Sequence, residues 1–261
     1  MTYQYQYITD SAFSPAVEWH FFKLRCVPCS NEFQQVVESR LQVTPACQVE
    51  HSVDGQGNAV QWGAIGYQHD RFRVASEGRV EQHLPYALHE VPASYYLTAT
   101  RLTECHEKAL RNIRGVTSRE QQPFALAQAI MRWVHYYIAY TPGHTTTTTA
   151  AMDVFADPRG VCQDYAHLMI ALCRAVGLHA RYVNGFIAGE GQTHAWVEVS
   201  DGKVWLPFDP THNTQPEWGY VKIAHGRDAD DCPTNRGRIY GWTSEQQSVT
   251  VTMISNPVYS I

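Results

Sequence analysis

Two strand-forming runs, His194 to Ser200 and Lys203 to Phe208, flank the dipeptide Asp201-Gly202. Asp-Gly between alternating runs is the strongest short-range signal for a β-hairpin, because both central residues of the tight turn need positive φ. A two-residue turn pairs Ser200 with Lys203 and sets His194 directly opposite Asp209. Directly opposed residues on one face have Cβ atoms about 4.5–5.5 Å apart, so a carboxylate reaches an imidazole there. The same register sets Pro207 against Trp196. Proline has no N–H to give a ladder, so its strand is expected at a sheet edge or beside a bulge.

Upstream of this hairpin the periodicity is helical. Pro123 opens a segment running to about Tyr140 with Leu126, Ile130, Val134 and Ile138 at four-residue steps, and Thr141-Pro142-Gly143 stops it. The run Thr145 to Thr149 reads as a loop. After the turn Asp157-Pro158-Arg159-Gly160, a second helix is expected from Cys162 to Val176, with Tyr165, Leu168, Met169, Leu172 and Val176 on its apolar face and Gly177 just past its end. Arg181 to Ile187 then reads as a strand.

The first part of the chain has the period of strands. Tyr3 to Ile8 alternates, His20 to Cys26 is rich in strand formers, and Phe72-Arg73-Val74 alternates again, with turn signals at Pro28, Pro45 and Asp54 to Asn58. The pattern lapses around Pro85 to Pro92. The expectation is an α+β protein in which residues 1–90 form an antiparallel β domain and residues 91–261 the remainder, with Ser248 to Ile254 returning as a strand.

A net charge of −5 with no basic stripe gives a phosphate backbone little to bind, so no nucleic acid partner is expected. Met1 to Tyr7 has neither the charged nor the apolar region of a signal peptide, and no apolar run approaches the roughly 20 residues that span a bilayer. A cytoplasmic protein without a membrane partner is expected. The seven cysteines are an odd number, so at least one thiol stays free.

Cys162 is the thiol in a distinctive place. At a helix start, unpaired backbone N–H groups and the positive end of the helix dipole favour the thiolate. With His194 and Asp209 on facing strands, the chain holds a nucleophile, a base and a group to orient the base. Cys173, in the middle of the same helix, reads as an ordinary buried thiol.

Several stretches together carry a family resemblance: Gly160-Val161-Cys162-Gln163-Asp164-Tyr165-Ala166-His167-Leu168, Gly177 to Val183, His194-Ala195-Trp196-Val197-Glu198-Val199 and Phe208-Asp209-Pro210-Thr211. They resemble the bacterial transglutaminase-like superfamily, the transglutaminase-like cysteine peptidases. Gly226-Arg227-Asp228 with Pro233 and Gly237 is similar to the tail of its bacterial members. Leu24 with Pro28, Asp54 to Asn58 and the Phe72 strand are similar to the β region that precedes the core. The resemblance implies a papain-like α+β core with Cys162 as nucleophile, His194 as base and Asp209 as orienter. It further implies acyl transfer on an amide, peptide or isopeptide bond of a peptide or protein substrate through a thioester, without a cofactor. Hydrolysis is the first expectation, and transfer to an amine or a non-enzymatic binding role are the alternatives. The first oxyanion donor is expected to be the Cys162 backbone N–H. The family's second donor, an upstream aromatic residue, falls on Tyr140. Departures from the family pattern are His179 in place of Pro, Ala229 after Arg227-Asp228, and Pro207; Ala229 implies a reshaped cleft.

Two metal readings compete. Cys26, Cys29, Cys47 and His51 have ligand types and gaps compatible with a structural zinc, although tight zinc motifs usually repeat a close pair. Asp228, Asp230 and Asp231 offer clustered oxygens for calcium but lack EF-hand spacing, and a solvated acidic loop is the better expectation.

Overall fold

The computed structural model describes residues 1–118, 122–189 and 191–256. Its N-terminal third is six antiparallel strands: β1 (Thr2–Val17), β2 (Trp19–Leu24), β3 (Gln34–Thr44), β4 (Glu50–Val53), β5 (Ala59–Ile65) and β6 (His69–Gln82). The alternation of β1 decides which way it faces. Tyr3, Tyr5 and Tyr7 are buried while Gln4 and Gln6 face out, so the tyrosines supply the apolar side of the sheet.

Four helices follow: α1 (Glu107–Thr117), α2 (Pro123–Tyr137), α3 (Ala151–Ala156) and α4 (Cys162–Ala175). Proline occupies the first turn of α2, where its missing N–H has no intrahelical role. The helix stops at Tyr137, earlier than the sequence suggests. Ala139–Tyr140 instead forms a short strand, β7, paired in parallel with β8 (Arg159–Gly160). Gly177 has φ +85° beyond the C-cap of α4, and the Leu178 N–H returns to the Cys173 carbonyl, the expected glycine termination. Every residue of α4 from Asp164 to Arg174 is buried, so this helix is a central rod rather than an amphipathic surface element.

A third sheet, β9 (His179–Ile187), β10 (His194–Ser200), β11 (Trp205–Phe208) and β12 (Tyr220–Gly226), packs on α4 in the order β11-β10-β9-β12. All seven residues of β10 are buried because both of its faces are covered. Ala195, Val197 and Val199 join the helices, while Trp196 joins Phe33, Tyr86, Tyr96 and Trp205.

The hairpin differs in register from expectation. Ser200 pairs with Trp205 and Val197 with Phe208, so residues 201–204 form a four-residue loop instead of a two-residue turn. The Asp201 carboxylate accepts from the Lys203 and Val204 N–H groups and holds that wider loop. Pro207 consequently faces Glu198, not Trp196, and lies on an edge strand where a missing donor is tolerated. The slip is two residues, so every side chain keeps its face.

The chain's last strands, β13 (Asn235–Tyr240) and β14 (Ser244–Asn256), pair with β2 and β1. The tail therefore hydrogen-bonds into sheets built from residues 2–82, giving the orders β14-β1-β6-β3 and β13-β2-β5-β4. Three side-chain amides join this β unit to the third sheet along β12. Gln82 bonds the Tyr220 carbonyl and the Gly219 N–H, Gln34 the Lys222 carbonyl and N–H, and Asn58 the His225 carbonyl and N–H. Each amide satisfies backbone groups that an edge strand would otherwise leave open. Among the described residues, no helix is long and apolar enough to cross a membrane.

Candidate active site

Cys162 is the first residue of α4, and the chain around it is fixed from the other side of the cap. Asp164, three residues after Val161 and buried, accepts from the Val161 N–H at 2.7 Å and from the Thr145 hydroxyl at 2.6 Å. This is the reciprocal half of a capping box, with the acid near the positive end of the helix. Gly160 must be glycine here, since a Cβ would lie 2.4 Å from an Asp164 oxygen. The Cys162 N–H, at the first helical position, has no intrahelical acceptor. Burial pushes up the thiols of Cys26, Cys29, Cys47, Cys105, Cys173 and Cys232, those of Cys26 and Cys173 to about 12. Cys162 is half-buried and opens into a cavity.

His194, at the first position of β10, is buried and reaches both partners. Its Nε2 lies 2.8 Å from Asp209 Oδ2, which leaves Nδ1 for the Cys162 sulfur that lines the same cavity. Burial alone would lower the imidazole pKa. The bonds to Asp209 and Cys162, with the charges of both, raise it to about 10 instead. The Trp196 ring, 6.2 Å from that of His194, lies across Gly185, where a Cβ would come within 2.3 Å of the indole. Glycine there leaves room for the indole beside the imidazole.

Asp209 is fully buried, one residue beyond β11, in a turn closed by reciprocal backbone bonds with Thr214. It is not directly opposite His194, because the four-residue loop displaces it by two positions. The carboxylate spans the offset as a diagonal neighbour. Its oxygens are fully engaged. Oδ2 accepts from His194, from His212 Nδ1 at 2.7 Å and from the Tyr220 hydroxyl at 2.7 Å, while Oδ1 accepts from the Thr211 and His212 N–H groups. Burial opposes the charge, but the His194 and His212 bonds prevail and hold the carboxyl well below the usual carboxylate range. His135 on α2 bonds the Pro210 and Thr211 carbonyls and steadies the turn.

His212 and Tyr220 were not singled out from the sequence. His212 carried a local signal, since it stands three residues after the carboxylate in an Asx-type turn. Tyr220 carried none, because only the β9–β12 pairing brings it over the site.

A cavity of about 990 Å³ contains Cys162, Gln163, His194 and Tyr140, and extends to Asn235 and Arg236 of β13. Tyr140 lies beyond the helix end, on β7, paired with Gly160 and 57% exposed. Ala229, the departure noted in the tail, lines the same cavity.

Neither metal reading gathers ligands. Among the described residues, His194, Asp209 and His212 are the group of His, Cys, Asp or Glu that brings ligand atoms within 4.8 Å of one another. Cys26, Cys29, Cys47 and His51 form no such group. The acidic loop is met by cations: Asp231 by Arg227, and Asp230 by Arg236 and Arg101, while Asp228 accepts the Asp230 N–H.

Residues 111–210, which hold all three groups of the site, match the transglutaminase-like superfamily, and residues 3–81 match the bacterial transglutaminase-like N-terminal region. This is a transglutaminase-like core behind a bacterial transglutaminase-like N-terminal region. An uncharacterised protein of Mycobacterium leprae is 26% identical over 91% of this chain and 92% of its own length. A protein-glutamine gamma-glutamyltransferase of Pseudomonas aeruginosa is 37% identical across 37% of this chain and 17% of its own. The structure of a candidate cysteine protease of Cytophaga hutchinsonii superposes with a TM-score of 0.79 at 24% identity, covering 98% of this chain and 92% of that one. That likeness establishes the α+β fold, with the transglutaminase-like core following an antiparallel β unit.

Proposed function

We propose that the protein is a cysteine hydrolase acting on an amide, peptide or isopeptide bond through a thioester. The observation that carries this reading is the buried His194–Asp209 pair, with the half-buried Cys162 sulfur at a helix start opening on the cavity that His194 also lines. His194 takes the thiol proton while Cys162 Sγ attacks the carbonyl carbon. The C–N bond then breaks as the imidazolium returns that proton to the leaving amine. Water adds to the thioester, giving its proton through His194 to the departing sulfur. Asp209, already bonded to Nε2, keeps Nδ1 toward the sulfur and stabilises the imidazolium. The oxyanion rests against the Cys162 N–H, with the Tyr140 hydroxyl as its second donor.

Transfer to an amine instead of water is the second reading, supported by the likeness to the Pseudomonas transferase across the core. The two differ only in the acceptor of the acyl group. Product analysis of a peptide library with and without a primary amine separates them. Cys162→Ala is expected to remove activity by roughly a millionfold, the scale of losing a protease nucleophile, with an unchanged thermal melt. Full activity in that variant overturns the assignment, and a non-enzymatic module would show no preferential alkylation of Cys162.

A further inference from the structure

The pairing of β13, β2, β5 and β4 puts an unusual set of side chains on one outer face. Directly opposed residues share a face, so Arg236, Lys23, Trp62 and Glu50 form one row, Arg238, Phe21 and Ala64 the next, and Tyr240 and Trp19 a third. Trp19 and Trp62 are each 40% exposed and Tyr240 67%. The rings of Trp19 and Phe21 stack at 6.3 Å, and Phe21 lies 6.4 Å from Trp62, so the aromatics form a continuous platform. Single exposed aromatics need no explanation, whereas a contiguous platform on a soluble domain marks an interaction surface.

Three further features say what such a surface would take. β13 is the edge strand of its sheet and, among the described residues, pairs with β2 on one side alone, the arrangement to which another extended segment adds. It begins inside the cavity, since Asn235 and Arg236 line the space above Cys162, and it runs from there to Arg238 and Tyr240. Lys23 and Arg238 form no ion pair among the described residues, and the one carboxylate of the grid, Glu50, lies at the far edge from β13. A strand-shaped ligand along β13 thus meets Arg238 and Tyr240, with Lys23, Phe21 and Trp19 beside them on β2.

We infer that this face docks an extended acidic polypeptide, adding along β13 and carrying its reactive amide into the cleft. The inference rests on the reading of Cys162 as acting on polypeptide amides and deepens it by naming the class of substrate. Main-chain bonds to the edge strand give general affinity for extended chains. The rings and cations select acidic segments with apolar or aromatic side chains at alternate positions. Single-stranded nucleic acid also stacks on aromatics, but it needs a positively charged groove along its whole backbone, and two unpaired cations on a chain of net charge −5 do not make one.

The test uses the full chain carrying Cys162→Ala and a fluorescein-labelled short peptide alternating Glu and Tyr around one Gln, with its Lys/Tyr counterpart. The acidic peptide is expected to bind at least tenfold tighter than the basic one, and Trp62→Ala and Arg238→Glu are each expected to weaken it by about tenfold. Both substitutions are at exposed positions, so the thermal melt should not move. Equal binding of the two peptides, or unchanged binding in both surface variants, overturns the proposal. So does tighter binding of single-stranded DNA, or concentration-dependent dimerisation that Trp62→Ala abolishes. Alkylation of Cys162 in the otherwise unaltered protein separates the two readings. Peptide discrimination with an unreactive Cys162 keeps the docking face and removes the chemistry, and a reactive Cys162 without discrimination does the reverse.

Discussion

The third sheet buries two carboxylates completely, Asp209 and Glu198, and their surroundings are opposites. Glu198 is held by a guanidinium and an ammonium: Arg181 bonds it, Lys222 Nζ sits 2.8 Å from each oxygen, and the Tyr86 hydroxyl completes the set at 2.6 Å. The Arg181 guanidinium in turn lies 4.1 Å above the Trp205 ring. Asp209 is held by two imidazoles, a phenol and backbone N–H groups. Burial opposes ionisation at both. At Glu198 the charges of Arg181 and Lys222 bring the pKa down to about 2. Glu198 and its cations are enclosed in the core, whereas the ring that Asp209 holds lines the cavity that Cys162 opens into. Trp196 connects the two, since it packs beside His194 and donates to the Tyr86 hydroxyl at 3.2 Å.

The sharpest way to break this contrast is Asp209→Asn. An amide offers a donor where His194 or His212 now donates, so the imidazole loses its orientation. Activity is expected to fall by about 10⁴-fold, as for a triad with the wrong tautomer, while the melt moves little. A variant that kept most of its rate would place Asp209 with Glu198 as a structural group.

Glu198→Gln is expected to do the converse. Removing one partner of a buried ion pair leaves Arg181 and Lys222 uncompensated, at a cost of about 3–5 kcal/mol in denaturant unfolding. The surviving folded fraction should still alkylate at Cys162. Stability unchanged in this variant would show that the cations find other partners.

The two carboxylates also predict the acid limb of stability. The unfolded value for Glu198 is 4.5 and the folded value about 2, so its contribution is complete above 4.5 and lost as pH falls through about 2. His194 behaves oppositely. Its pKa rises from 6.5 to about 10, so its contribution is complete below 6.5 and lost as pH rises through about 10. Unfolding free energy should therefore fall as pH rises from 6.5 and level off near 10. Stability that stays flat over that range would show that folding gives the ring no partner for its proton.

The smallest effect belongs to His212. Because Asp209 Oδ2 keeps His194 and Tyr220 as donors, His212→Ala removes one hydrogen bond of about 1.5–3 kcal/mol to a charged group, and roughly tenfold in rate is expected. His212→Asn, which can still donate, should recover most of it. Failure of that rescue would give the imidazole a role beyond orientation.

Much of this was legible in the chain. Proline at 123, the Gly160 turn and Gly177 bounded the helices because each has a backbone consequence independent of context. The Tyr-Gln alternation and the flanking turns marked the N-terminal strands for the same reason. Cys162, His194 and Asp209 could be singled out because a thiol at a helix start, and a histidine and an acid on the two arms of one hairpin signal, are local features of the sequence. The register was not legible, since Asp201-Gly202 signals a tight turn yet the Asp201 side chain supports a longer loop. Nor were the partners of Asp209 and Glu198 that arrive from β12 and from residues 86 and 181.

Local sequence therefore determined the helices that begin at Pro123 and Cys162, the alternating strand at the start of the chain, and which thiol stands at a helix start. The tertiary structure decided which groups meet. It returned the last strands to the N-terminal sheets, closed β12 with three side-chain amides, and carried Tyr220 and His212 to the same carboxylate oxygen. Backbone preferences act over a few residues and can be read along the chain, whereas contacts between distant segments depend on how whole sheets and helices pack.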